Sequence, residues 1–203
     1  RVNSCMGYIC AQNNTDSLAL IFYERAAKDF IEGGNEWQYA QSLLNIVQCQ
    51  IYLKAFSKAD SILHIAQLYQ LDSAYQARCY QICGLFFDVQ QQYDSALVCF
   101  NRGLSCWQYE AEKLHFYVKI MQIYLDLNTL EQALPYAHLI IAHSNNPNYL
   151  VNAYYCLMQD AKSRNNVELL SQYSHARTDA QKLVATTQPI SEAGYWLPPA
   201  IWT

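Results

Sequence analysis

Among the residues of this chain able to act as nucleophiles, metal ligands or general bases are eight cysteines and five histidines. Cys5, Cys10, Cys49, Cys83, Cys99 and Cys156 fall beside packing positions of predicted helices, and no pair has the short Cys-x2-Cys spacing of a zinc knuckle. Cys79, Cys83, Cys99 and Cys106 fall in one stretch, where a structural metal is the sharp reading and small buried thiols the bland one. Free thiols are among the most buried side chains, so the bland reading is adopted. Thiols in such number without a framework spacing point to a reducing compartment. His64, His115, His138, His143 and His175 are scattered, with no His-Glu-x2-His pair, no Gly-x-Ser-x-Gly turn and no glycine-rich phosphate loop. The expectation is a protein without enzymatic activity, metal or cofactor.

Larger than any of these clusters is a recurring spacing of small and bulky residues. Gly7, Ala19, Tyr23 and Ala26 are followed in the same spacing by Val47, Ala59, Leu63 and Ala66, then Gly84, Ala96, Phe100 and Gly103, then Met121, Ala133, Ala137 and Ile140, and last Met158, Leu170, Ser174 and Arg177. From Ala19 to Ala59, Ala96, Ala133 and Leu170 the steps are 40, 37, 37 and 37 residues, the period of stacked helical hairpins. Small residues let two helices approach, and a large neighbour fills the space beside them. Ten helices are predicted, over 1–12, 15–32, 35–53, 57–70, 73–90, 94–107, 110–127, 130–143, 148–164 and 167–185. Thr15 with Asp16, Ser57 with Asp60, Asp94, Thr129 with Gln132, and Asn166 are expected to cap the second helix of each hairpin. Gly33-Gly34, Leu71-Asp72, Tyr109-Glu110 and Asn145-Asn146-Pro147 are expected as turns between hairpins.

The third repeat reads Tyr80-x2-Cys83-Gly84-x2-Phe87-x5-Tyr93-x2-Ala96-x3-Phe100-x2-Gly103, and there the chain resembles the tetratricopeptide repeat family. The resemblance covers roughly residues 1 to 180 and weakens in the last repeat. It implies an all-α fold, an α-solenoid of five antiparallel hairpins wound as a right-handed superhelix. One domain over 1–187 is expected, with repeats at 1–34, 35–72, 73–109, 110–147 and 148–186, followed by a hydrophobic tail over 188–203. The tail holds Tyr195, Trp196, Leu197, Ile201 and Trp202 around Pro198-Pro199, and is expected to cap the last hairpin, with the concave groove of the same or a neighbouring molecule, and so self-association, or a membrane surface as the alternatives.

Thirteen Lys and Arg against seventeen Asp and Glu give a net charge of −4, with no basic stripe to neutralise phosphates, so nucleic acid is not the expected partner. No stretch approaches the ~18–20 consecutive apolar residues of a membrane-spanning helix. Such arrays bind along the face of their first helices. On that face stand Tyr8, Gln48, Tyr52, Arg78, Gln81, Asp88, His115, Gln122, Asp126, Tyr155, Gln159 and Lys162. Amides can hold a peptide backbone and tyrosine rings its side chains, whereas the bland reading is a solvated polar face. Family members that bind the acidic C-terminus of chaperones do so through Lys, Arg and Asn. The matching positions here carry Ser4, Leu44, Gln81, Val118 and Tyr155, so that clamp is absent. The expected function is a non-catalytic protein- or peptide-binding scaffold or sensory module, cytoplasmic, and part of a longer protein. The alternatives are a small-ligand or glycan-binding receptor domain, an extracytoplasmic segment of a membrane-anchored bacterial regulator, and an enzyme with an unrecognised site.

Overall fold

A computed structural model describes residues 2–186, so the tail over 188–203 lies outside the described residues. Ten α-helices follow one another: α1 Val2–Gln12, α2 Asp16–Glu32, α3 Glu36–Tyr52, α4 Phe56–Gln67, α5 Ser73–Val89, α6 Tyr93–Ser105, α7 Glu110–Asp126, α8 Leu130–His143, α9 Pro147–Ser163 and α10 Val167–Thr186. No strand occurs among the described residues. Pro135 stands inside α8, which continues through it because only the bond to the Glu131 carbonyl is forfeited so near the helix start.

The link between the two helices of each predicted pair carries a left-handed residue, five times in all. Asn14, Lys54, Gln91, Asn128 and Asn165 adopt the left-handed conformation, with φ between 52° and 60°, at the 40- and 37-residue steps of the sequence pattern. The next residue, at Thr15, Ala55, Gln92 and Thr129, has φ from −101° to −85° and ψ from 55° to 66°, which swings the chain into the following helix. The N–H groups of Thr15, Ala55, Thr129 and Asn166 donate to the carbonyls of Cys10, Gln50, Tyr124 and Ala161 at 2.8 to 2.9 Å. This is the six-residue ring of a Schellman turn, which satisfies carbonyls left open at the helix end.

The expected caps differ in their chemistry. Thr15 and Thr129 sit at the N-cap, but their hydroxyls donate backwards to the carbonyls of Cys10 and Tyr124, at 2.7 and 3.0 Å, and so reinforce the turn instead of capping the helix ahead. Ala55 and Gln92 hold the N-cap positions, so the expected Ser57 and Asp94 each lie two residues late. Asn166 does cap, its Oδ1 accepting from the Leu169 N–H at 3.0 Å. Asp72 and Asn146 cap α5 and α9 by accepting from the N–H of Tyr75 and Asn148, at 2.7 and 3.0 Å.

The described residues divide into two compact units between Gln90 and Gln91, a boundary inside the third repeat. In the first unit each helix from α1 to α5 packs on its neighbour, and α3 also packs on α5. In the second unit the same holds from α6 to α10, and α7 also packs on α9. All sixteen pattern positions of the first four repeats are buried, whereas Met158, Leu170, Ser174 and Arg177 of the fifth are only partly so. The glycines show why small residues are needed. A Cβ on Gly7 would stand 2.8 Å from the Tyr23 ring, and one on Gly103 would enter the Phe116 ring. Phe116 in turn meets Phe100 edge-on, with centroids 6.3 Å apart.

Candidate binding surfaces

Within the first unit, α3 and α5 bring four of the expected site residues together. The Arg78 guanidinium donates from Nη2 to Gln48 Oε1 and from Nη1 to Gln81 Oε1, the latter at 2.9 Å. Gln48 Nε2 donates to the Tyr52 hydroxyl at 3.3 Å. Gln48 and Arg78 are 3% and 4% exposed, so they do not line an open surface as the sequence reading expected; they tie α5 to α3 beneath it. The reason is that α3 and α5 pack directly and the amide and guanidinium satisfy one another where neither could stay buried alone. Tyr52 is 37% exposed, and Tyr8, Gln81 and Asp88 are partly exposed, so these four present what surface the network leaves. Burial raises the Tyr52 hydroxyl pKa, while the Gln48 bond and the Arg78 charge pull it down. Tyr23, buried in the α1–α2–α3 core, is raised further by burial, with Arg78 again opposing.

In the second unit the expected residues are more open. Gln122, Asp126 and Lys162 are exposed, Tyr155 is 41% exposed, and His115 and Gln159 are partly exposed. Asn152, Tyr155, Gln159 and Lys162 recur at three- and four-residue steps and so share one stripe of α9. The guanidinium of Arg177, from α10, lies over the Tyr155 ring with its central carbon 5.0 Å from the centroid. Sequence reasoning did not place Arg177 in the site, since it registered only as a departure from the repeat pattern; an arginine at a packing position was the available signal.

A second polar group in this unit fixes the start of α7. Tyr117 Oη donates to Glu110 Oε2 at 2.6 Å and Lys113 Nζ to Glu110 Oε1 at 3.0 Å. These bonds, the tyrosine's first, hold the Glu110 carboxyl below its ordinary pKa. The Tyr117 ring leans on Tyr136, which stacks on Tyr124 at 6.0 Å between centroids.

The thiols are distributed as packing groups. Cys10, Cys49, Cys79, Cys83, Cys99 and Cys156 are buried, Cys106 is partly so and Cys5 is exposed. Burial pushes the Cys156 thiol up to about 11, with the Asp160 charge adding to it, so it is a poor thiolate source. His64, His138, His143 and His175 lie on exposed positions instead. Among the described residues no group of three or more His, Cys, Asp or Glu is placed to hold a metal ion, and no helix is long and apolar enough to cross a membrane. Compared with known proteins, the chain matches no family model, no curated protein and no solved structure.

Proposed function

We propose that this chain is a helical-hairpin repeat protein of tetratricopeptide type, an α-solenoid, and that it serves as a non-catalytic peptide- or protein-binding scaffold through the faces of its first helices. The observation that carries the repeat reading is the recurrence of one turn geometry at Asn14, Lys54, Gln91, Asn128 and Asn165, in step with the buried small and aromatic residues. Within each unit first helices also pack on one another, α3 on α5 and α7 on α9, as they do in a hairpin array. Support for peptide binding comes from the second unit, where α7 and α9 leave amides, a carboxylate, an ammonium and a tyrosine ring accessible while their apolar sides are spent on packing. Amides bond to a peptide backbone and rings cover its side chains at little entropic cost.

Binding to a peptide array is the test, run beside a glycan array. Peptide capture that weakens at least about tenfold in the Gln122→Ala/Tyr155→Ala double variant is the expected result, as two lost contacts of about 1 kcal/mol each imply. Capture of glycans alone, lost in the same variant, would move the function to the receptor class.

A further inference from the structure

The residue that closes the recurring pattern is Ala26, Ala66, Gly103 and Ile140 in the first four hairpins, buried in every case. In α10 the same position holds Arg177. Its guanidinium rests on the Tyr155 ring, and its Nε is buried without a hydrogen-bond partner. The ion pairs of this unit use Lys113, Arg164 and Lys182, and Arg177 joins none among the described residues. Asp160, on α9, is already held by Arg164 at 2.8 Å. With the Nε closed to water, the Nη1–Nη2 edge of the guanidinium is what an arriving carboxylate meets. A guanidinium held over a ring is already positioned, and its planar fork matches a carboxylate with two parallel bonds.

We propose that Arg177 on Tyr155 is the carboxylate-recognition point of the α9 surface, and that the peptide bound there presents a Glu or Asp side chain to it. This rests on the peptide-binding reading above and names the chemistry of its partner. Asn152 and Gln159, on either side of Tyr155 along α9, supply amides for the backbone flanking that side chain, and exposed Lys162 adds positive charge further along the stripe.

Paired peptides that differ only by Glu for Gln, or Asp for Asn, are titrated against the full chain and against Arg177→Gln and Arg177→Lys. The expected result is about tenfold or greater preference for the acidic member, lost in Arg177→Gln and partly restored in Arg177→Lys. Unchanged affinity of Arg177→Gln for the neutral member shows in the same titration that the variant is folded. An acidic preference that survives Arg177→Gln overturns the site and leaves the peptide-binding reading standing. No binding of any pair by the native chain overturns both.

Discussion

The ring of Phe116, on α7, occupies the space in which a Cβ at Gly103, on α6, would stand. Ala is the better helix former by about 1 kcal/mol, so Gly103→Ala would stabilise α6 if the neighbouring space were open. Overpacking against a buried ring costs about 1–3 kcal/mol and outweighs that gain. Gly103→Ala is therefore expected to lower stability by up to about 2 kcal/mol in urea unfolding, and to raise it in a Phe116→Leu background, where the clash is gone. The same sign in both backgrounds would show that Phe116 is not what demands glycine.

Arg78 and Gln48 support α3 and α5 through the same bond, so their removal is not additive. Arg78→Ala leaves the buried Gln48 oxygen without its charged donor, and about 1–3 kcal/mol of stability is expected to go for that oxygen alone. Arg78→Met with Gln48→Leu replaces both partners by apolar groups of similar shape and is expected to recover most of the loss. A double variant weaker than the sum of the single ones would place the network's role elsewhere.

Glu110 gives the fold a pH dependence of known sign. The Tyr117 and Lys113 bonds favour its carboxylate, so its folded pKa lies below its unfolded one. The stabilisation is then full above the ordinary glutamate pKa of about 4.3 and is lost as the pH falls through the lower folded value. Melting temperatures across that window are expected to fall less steeply for Glu110→Gln than for the native chain. Identical slopes would mean that the carboxylate is as well solvated by water as by Tyr117 and Lys113.

The helices and their register were legible in the sequence because the packing code is local: Ala19, Ala59, Ala96 and Ala133 are small at fixed steps, and all four are fully buried. Helix starts are less legible, since residue type alone marks Thr and Asp as caps. The Thr15 and Thr129 hydroxyls instead serve the turn behind them, a choice set by the left-handed residue before each. The surface was read only in part. Counting along helices places Gln48 and Arg78 on the same face as Tyr52, but not the depth to which α5 packing on α3 buries them. Arg177 joins Tyr155 through contact between two helices, which no spacing within either helix encodes.

The central claim is that peptide binds along the first helices of the hairpins, and amide chemical-shift mapping with the tightest array peptide tests it most directly. Shifts concentrated at Gln122 and Asp126 on α7 and at Asn152, Tyr155, Gln159 and Lys162 on α9 are the predicted result. Shifts concentrated instead on the exposed residues of α8, around Glu131, Gln132 and His138, would contradict it.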